Sequence, residues 1–574
     1  MRARLLVLVL AIGGCGGGGA SSTGSEGAAC YPNGTCDGTL TCASNFCVRL
    51  DGLAGMSGNA GAAGVAGATG LAGAAGLPGA AGAAGSTTTG SGGSSGSPGV
   101  AGASGMGGNG MSCGIQQAMC NGKCIGVWED DRNCGQCGIA CTGEKHCAAG
   151  MCQTSKIQHV VLIVQENHTF DSYFGRYCQA ASGSNPTCTA GPSCCEAAPI
   201  LEPKGAPPIA LDDASNFAAD RDHTAACEIQ QIDGGKMDGY VTGSVGSGPC
   251  LGPACSSPNN WALATKGTVG EYWDLAAGNA LADRYFQPVV GSTSSNNMYF
   301  ATARFEFLDN SAMPNTIGAG CVDPTGVCLD GAATDYQGRT TIADLLVQAG
   351  KTFSVYADGF AEAAAAAVTS ECPAAPGYCP YSDSLLHPIA VHGCIYDPSD
   401  IPFAYFHQLG DHYTKDYGDL QSDLDAKRLP HFSFVKGREY RNEHPNLSTL
   451  SAGIAFATTT IQAIESSSYA DSTLVLLTWD EGGGFFDHVP PPTGVAVDGQ
   501  GKLIPYGTRV PLIAVGPFVR KGSISHVQME HSSIVRFLEY NFVGAVGQLG
   551  NNDANVNNIG SLLDPNATGI RVPE

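Results

Sequence analysis

Glycine stands at every third position from residue 52 to residue 85, and the same spacing returns between Gly96 and Gly108. This period is typical of collagen, because only glycine fits at the crowded axis of the triple helix. Most of the other positions are alanine, and Pro78 is the one proline in the first run, whereas a stable collagen helix contains far more imino acids. We therefore predict that residues 52–110 form a collagen-like, low-complexity spacer that is flexible or weakly trimeric.

The first fifteen residues have the pattern of an export signal. Arg2 and Arg4 precede an apolar run at residues 5–12, which is too short to span a bilayer. The four residues that end at Cys15, Ile-Gly-Gly-Cys, resemble a bacterial lipobox. We therefore predict that residues 1–15 are a lipoprotein signal and that lipid on Cys15 anchors an exported protein to the outer or cell-surface membrane. The alternative is an ordinary signal peptide, which would give a secreted protein without a lipid anchor.

The cysteines indicate disulfide bonding in an exported protein. Of the 25 cysteines, 24 follow the lipobox: four within residues 30–47, eight within 113–152 and twelve within 178–394. Even counts are expected if each group closes its own disulfides in an oxidising compartment. Zinc is the alternative for the second group, because Cys134 and Cys137 have ligand spacing. Residues 30–47 are therefore predicted to be a small cysteine-rich segment, and residues 113–152 a disulfide-closed module.

Charge excludes two classes of partner. The chain has 28 basic and 51 acidic residues, for a net charge of −23. A nucleic-acid-binding protein uses Lys and Arg to displace counterions from phosphates, and docking on anionic lipid also requires basic residues. The sequence therefore predicts no nucleic-acid partner and no electrostatic attachment to a membrane.

Residues 157–564 have the composition of a globular α/β domain. Four apolar runs predict buried parallel strands, at residues 160–164, 353–357, 474–478 and 512–515. Two stretches between them, residues 342–349 and 454–466, predict helices. Strands that alternate with helices indicate a central, mostly parallel sheet that is flanked by helices.

Polar residues follow two of the predicted strands directly. Glu166 and Asn167 come after the first run, and Asp480 and Glu481 come after the third, followed by three glycines. In open α/β sheets, ligands bind beyond the carboxyl ends of the strands. Carboxylate and amide oxygens suit a hard divalent cation such as Ca²⁺, Mg²⁺ or Mn²⁺. The pattern predicts one such cation, although each residue alone is also compatible with a helix cap or a turn.

Several long motifs resemble those of the bacterial phosphoesterase family, which includes phospholipases C and a group of acid phosphatases. The opening motif spans residues 157–175 and contains Gln-Glu-Asn-His-Thr-Phe-Asp. Later motifs follow in the family's order, at residues 234–239, 442–445, 478–488, 506–511 and 530–533. The resemblance implies an alkaline-phosphatase-like α/β fold and the hydrolysis of phosphate esters.

The resemblance also implies individual roles. The implied metal ligands are Glu166, Asn167, Asp480 and Glu481. The nucleophile falls within residues 290–296, where the motif places Thr293, whose hydroxyl would also contact the metal and carry a phosphoryl intermediate. The family has proline where this chain has serine, so the flanking serines, Ser292 and Ser294, stay open as candidates.

Further residues are implied around the phosphate. His223 and His444 would bind phosphoryl oxygens and protonate the leaving group. Asn296, His488 and His531 would contribute to substrate binding. A third family histidine is missing, because this chain has Asp400 in the corresponding segment.

Two other classes of protein are alternatives to an enzyme of this family. A sulfatase-like enzyme would use a Cys-x-Pro-x-Arg motif, which the sequence lacks. A non-catalytic, surface-displayed binding or structural lipoprotein is the main alternative, and the intact Glu-Asn and Asp-Glu clusters weigh against it. For the substrate, the chain ends at Glu574, soon after the last motif, which favours acid-phosphatase-like activity with phospholipase C-like activity as the second choice.

Overall fold

The computed structural model describes residues 41–43, 46–48, 113–242, 255–307, 310, 339–361, 400–406, 413–497, 499 and 501–574. The predicted export signal, lipobox and glycine-rich spacer lie outside these residues. The chain divides into two compact units, Met1–Ser112 and Cys113–Glu574. In the first unit, the described residues form a hairpin of Thr41–Ala43 and Phe46–Val48.

Eight strands of the described residues form the central sheet of the second unit. In chain order they are β1 (His159–Gln165), β2 (Ala280–Ala282), β3 (Phe353–Ala357), β4 (Thr414–Asp416), β5 (Phe432–Lys436), β6 (Thr473–Trp479), β7 (Leu512–Val515) and β8 (Ser523–Ser525). Across the sheet the order is β4-β3-β5-β1-β6-β7-β2-β8. Every neighbouring pair is parallel except the two that involve β7, which is antiparallel to both β6 and β2.

The predicted mostly parallel sheet is confirmed, but the predicted direction of one strand is wrong. The run at residues 512–515 forms β7, which runs against its neighbours. The chain leaves β6 at the carboxyl edge of the sheet and re-enters at that same edge after residues 480–511, so no crossover is required. Burial on both faces makes a strand apolar whatever its direction, so the sequence could not reveal this reversal.

Ten α-helices lie in the described part of the chain: α1 (Phe170–Phe174), α2 (Asp213–Ala218), α3 (Ala225–Ile232), α4 (Lys266–Gly278), α5 (Thr293–Thr302), α6 (Ile342–Gln348), α7 (Asp419–Asp425), α8 (Leu450–Glu465), α9 (His531–Leu538) and α10 (Pro565–Thr568). Helix α8 begins earlier than predicted, because the Thr449 side chain caps it by accepting from the Ala452 amide. Within this part of the chain, every helix is too short or too polar to cross a lipid bilayer.

Shorter elements complete the second unit. Five two-stranded ribbons pair Gln117–Cys120 with Lys123–Gly126, Lys145–Ala148 with Met151–Thr154, Ile209–Leu211 with Ala262–Ala264, Tyr285–Phe286 with Met529–Glu530, and Val495–Val497 with Leu503–Pro505. Single 3-10 turns occupy Pro192–Cys194, Asp233–Gly235, Pro258–Asn260, Pro402–Tyr405, Glu439–Arg441, Ala470–Ser472, Asn552–Ala554 and Ile559–Leu562, and a π turn occupies Glu539–Val543.

Strands β1 and β6 lie side by side in the middle of the sheet. Every residue of β6 is buried, as are all but the first of β1. Their register pairs Gln165 with Trp479, the last residue of each strand. Because both strands run in the same direction, the residues that follow them emerge at the same edge of the sheet.

Disulfides close the cysteine-rich module, as predicted. Its eight cysteines form four bonds: Cys113–Cys124, Cys120–Cys137, Cys134–Cys147 and Cys141–Cys152. The zinc alternative is not supported, because Cys134 and Cys137 belong to different disulfides. Among the described residues of the α/β domain, three more bonds are formed: Cys178–Cys195, Cys188–Cys194 and Cys227–Cys255.

The cysteine-rich module packs against the α/β domain within one compact unit. His146 is 1% exposed and stacks on the Tyr540 ring, with 3.6 Å between ring centroids. One ring nitrogen of His146 lies 2.7 Å from the Tyr540 carbonyl and the other 2.8 Å from Asp131. Glu144 forms an ion pair with Lys351. The module is therefore joined to the domain by a buried side chain as well as by surface charge.

Thiol titration provides a direct check of the disulfides. We expect the denatured, unreduced protein to show almost no free thiol, because the cysteine groups are even and every described cysteine between residues 113 and 255 is paired. Reduction before titration is the positive control and should expose the full set. Many free thiols, or stoichiometric zinc, would contradict the assignment.

Candidate active site

The ends of β1 and β6 bring four oxygen-bearing side chains together. Glu166 and Asn167 follow β1, Asp480 and Glu481 follow β6, and none is more than 1% exposed. The Glu166 amide donates to the Asn442 carbonyl at 2.7 Å, and the Asp480 amide donates to the Gln165 carbonyl at 3.1 Å. Backbone hydrogen bonds therefore hold both strand ends in place.

Several oxygens of this cluster are buried without a well-formed hydrogen bond from any residue that the structure describes. They are Asn167 Oδ1, both carboxylate oxygens of Asp480, and Glu481 Oε1. Burial and the charge of Glu166 raise the pKa of Asp480 to about 7. Burial also raises the pKa of Glu481 well above its usual range, although His223 opposes the shift. A hard divalent cation fits this donor set and would remove the unpaired charge.

A buried lysine stands beside the cluster. Lys436, the last residue of β5, forms an ion pair with Glu166 and lies 3.7 Å from Asp400. Burial would raise the pKa of Glu166, but Lys436 and His444 outweigh it and lower that pKa. Sequence reasoning missed this lysine. The sequence feature that could have identified it is a charged residue at the end of a mostly apolar strand.

Thr293 is the first residue of α5, at the acidic cluster. Its hydroxyl lies close enough to Asp480 to lower the pKa of that carboxyl. Ser292 is the N-cap residue of the helix, but its side chain makes no capping hydrogen bond. Ser294 is buried in the first turn. The structure therefore places the Thr293 hydroxyl beside the Asp480 carboxylate.

The loop before Thr293 is held by two buried side chains. Asn296 accepts from the Val289 amide at 3.2 Å and donates to the Gly291 carbonyl at 2.8 Å. Glu228 accepts from the Gly291 amide at 2.7 Å. Gly291 has a φ of +119°, and a Cβ there would lie 2.6 Å from Asn310 Oδ1. The structure thus gives Asn296 a loop-holding position, whereas the sequence suggested a substrate contact.

His223 and His444 stand at the open side of the cluster. His223 Nε2 lies 3.7 Å from Glu481 Oε1, and His444 Nε2 lies 4.0 Å from Glu166 Oε2. The two ring centroids are 6.0 Å apart. Burial lowers the pKa of His223, but Glu481 and Asp220 raise it to about 10 overall. Both histidines are therefore near the proposed ligands and near each other.

His488 belongs to a buried charge network. One ring nitrogen lies 2.8 Å from Asp171 and the other 3.0 Å from Glu196. Arg509 contacts Asp171 and Asp487 at 3.0 and 2.9 Å, and all three are fully buried. Both His488 nitrogens are thus engaged by carboxylates of the protein, which differs from the substrate-binding role that the sequence suggested.

His531 lies beneath the cluster. It is fully buried, with Nε2 at 2.6 Å from the Asp480 carbonyl and Nδ1 at 2.8 Å from the Tyr285 hydroxyl. Its ring stacks on Phe300, with 4.1 Å between centroids. The structure gives this residue contacts that support the strand end, again different from the suggested substrate contact.

The glycine run after Glu481 has a steric cause. Gly483 has a φ of +63°, and a Cβ there would lie 2.3 Å from the Asn167 carbonyl oxygen. A run of glycines lets a chain turn sharply and come close to a neighbouring group. In the structure, the close approach is between the two ligand-bearing loops themselves.

The fold defines an α/β protein with a buried, oxygen-rich cluster at the carboxyl edge of its central sheet. Comparison with known proteins identifies the family: the profile of the phosphoesterase family matches residues 157–543. The chain belongs to this family and is a phosphoric ester hydrolase. A second profile, that of the stigma-specific STIG1-like protein family, matches residues 102–155, which include the cysteine-rich module.

Individual relatives are distant in sequence. Phospholipase C B of Mycobacterium tuberculosis is 24% identical over 433 residues, which is 70% of this chain and 76% of that protein. A non-hemolytic phospholipase C of Burkholderia pseudomallei is 25% identical over 424 residues, 67% of this chain and 55% of that protein. Among solved structures, the phosphonate monoester hydrolase of Silicibacter pomeroyi has a TM-score of 0.28 and 12% identity, covering 54% of this chain and 74% of that one.

Proposed function

We propose that this chain is an exported, metal-dependent phosphoesterase in which Thr293 is the nucleophile. The observation that most directly supports this proposal is the set of buried, unpartnered oxygens of Asn167, Asp480 and Glu481 beside the Thr293 hydroxyl. Such oxygens are costly to bury unless a cation binds them. The non-catalytic alternative leaves this buried acidic cluster unexplained.

A divalent cation held by Glu166, Asn167, Asp480 and Glu481 would lower the pKa of the attacking hydroxyl and neutralise phosphate charge. The protein contributes the remaining groups. Thr293 attacks phosphorus from the start of α5, where the partial positive charge of the helix favours a phosphoryl group.

Two histidines complete the proposed reaction. His223 and His444 donate hydrogen bonds to phosphoryl oxygens, and one of them gives a proton to the leaving alkoxide as its bond to phosphorus breaks. Water then attacks the phosphoryl group on Thr293, and the threonine hydroxyl is restored.

For the substrate, we propose a phospholipid that is cleaved between glycerol and phosphate, as in a phospholipase C. The similarity to bacterial phospholipases C supports this choice. A phosphomonoester is the second candidate, favoured by the resemblance to acid phosphatases.

Assays of the full chain with added Mn²⁺, Mg²⁺ or Ca²⁺ separate these substrates. We expect diacylglycerol and phosphocholine from mixed micelles of phosphatidylcholine, with weaker release of phosphate from p-nitrophenyl phosphate. Turnover of the phosphomonoester alone would assign a phosphatase instead. Inactivity on both substrates with every metal would reject the proposed chemistry and favour the binding or structural alternative.

We further propose that the enzyme is displayed at the cell envelope by lipid on Cys15, with residues 52–110 as a flexible or weakly trimeric spacer. The disulfides support export, because such bonds persist in oxidising compartments. A Cys15→Ala chain should lose metabolic labelling with palmitate. Unchanged labelling would exclude this anchor.

A further inference from the structure

The side chain of Glu443 is a hydrogen-bonding centre behind the proposed metal site. It is fully buried, and its backbone φ is +77°. Its carboxylate receives four donors: Gln165 Nε2 at 3.0 Å, Trp479 Nε1 at 2.9 Å, the Tyr173 hydroxyl at 2.5 Å and the Tyr272 hydroxyl. Each oxygen takes two of these donors, which is a full set for an ionised carboxylate.

The donors come from the segments that carry the proposed ligands. Gln165 is the last residue of β1 and directly precedes Glu166. Trp479 is the last residue of β6 and directly precedes Asp480. One carboxylate therefore ties together the two strand ends that supply the metal ligands.

The backbone of Glu443 adds a third connection. The next residue is His444, one of the two histidines of the site. The Glu443 carbonyl accepts from Asn216 Nδ2 at 2.9 Å. Helix α8 packs so closely that a Cβ on Gly453 would lie 2.2 Å from the Glu443 side chain. The loop before His444 is thus fixed from several directions at this one residue.

We propose that Glu443 is a positioning residue, which aligns the ligands at the ends of β1 and β6 with each other and with His444. The inference rests on the proposed function, because it concerns the same metal site. Glu443 need not touch the substrate or the cation, since it acts through Gln165 and Trp479.

Replacement of Glu443 by glutamine isolates this role. The amide is nearly the same size, but its NH₂ group would face two of the four donors. The indole N–H of Trp479 cannot become an acceptor, and Gln165 can accept only by turning its Nε2 away from the Gly453 carbonyl. Either orientation of the new amide therefore costs a hydrogen bond at one strand end. Replacing a residue that orients metal ligands typically costs about 10–100-fold in metal affinity.

The test is calorimetric titration of the full, metal-stripped chain with Mn²⁺, together with its thermal unfolding. For Glu443→Gln we expect Mn²⁺ binding that is about 10–100-fold weaker than in the wild type. Glu539→Gln is a matched control, because Glu539 is also fully buried and accepts from backbone amides, those of Gly547, Gln548 and Leu549. This control should lose stability but keep the wild-type Mn²⁺ affinity.

Four outcomes would overturn the inference. The first is a folded Glu443→Gln chain with wild-type Mn²⁺ affinity, and the second is an equal loss of affinity in Glu539→Gln. If Glu443→Gln does not fold, Tyr272→Phe decides, because it removes one donor only. Wild-type Mn²⁺ affinity in Tyr272→Phe is the third contradicting outcome. The fourth is a wild-type chain that binds no divalent metal, and this last outcome alone would also remove the proposed function.

Discussion

Replacement of Thr293 by valine is expected to lower kcat/KM for phosphoester hydrolysis by about 10³-fold or more. Valine keeps the branched shape of threonine at the start of α5 but has no oxygen that can attack phosphorus. Thr293→Ser should keep part of the activity, because it retains the hydroxyl and loses only the methyl group that restricts χ1. Steady-state kinetics of the wild type, Thr293→Val and Thr293→Ser tests these expectations. The substrate is the one that the wild type turns over fastest in the assays above.

The neighbouring serines are the controls for this prediction. Ser292→Ala and Ser294→Ala should stay within about tenfold of the wild type, because their hydroxyls are not required for attack. An inactive serine variant combined with an active Thr293→Val would move the nucleophile by one residue. A phosphorylated Thr293 peptide after acid quench would support the intermediate directly.

Removal of the metal, or of its central ligand, should have an effect of similar size. Asp480→Asn is expected to lower the bound-metal content and to reduce activity by about 10³-fold or more. Removal of the metal from the wild type with a chelator should reduce activity by a similar factor. The amide keeps the shape of the side chain but removes the negative charge. Without metal, this variant should unfold at the same temperature as the wild type or higher, because a buried, unpaired charge is gone.

Asp487→Asn is the matched control for Asp480→Asn. Asp487 is an equally buried carboxylate in the same loop, but it pairs with Arg509. Its replacement should reduce stability by about 1–3 kcal/mol, because Arg509 loses one charged hydrogen-bond partner but keeps Asp171, and should leave the metal content unchanged. Elemental analysis of purified protein makes the comparison. Full activity of a metal-free preparation would contradict the assignment of the cluster.

The sheet could be predicted from the sequence where burial alone decides the pattern. Strands β1 and β6 are continuous apolar runs, because both of their faces are covered. The direction of β7 could not be predicted in this way, because it depends on how residues 480–511 return to the sheet. The start of α8 was missed by a few residues, since Thr449 as a cap is recognisable only once the helix is known.

The proposed ligands could be found because each pair directly follows an apolar strand. Glu228, Lys436 and Glu443 were not identified, since their positions depend on contacts between segments far apart in the chain. Lys436 meets Glu166 only because β5 and β1 are neighbours. Motif resemblance gave His223 a role in proton transfer and His531 a role in substrate binding, whereas the structure places His223 beside Glu481 and His531 against the Asp480 backbone.

The stacking of His146 on Tyr540 has a practical consequence for anyone who wishes to produce this enzyme in shortened form. The family match begins at residue 157, and cutting there would leave an aromatic ring and a backbone carbonyl of the catalytic part newly exposed to solvent. The smallest fragment suited to crystallography or engineering therefore begins at Cys113, and its host must be able to oxidise the four disulfides of the module.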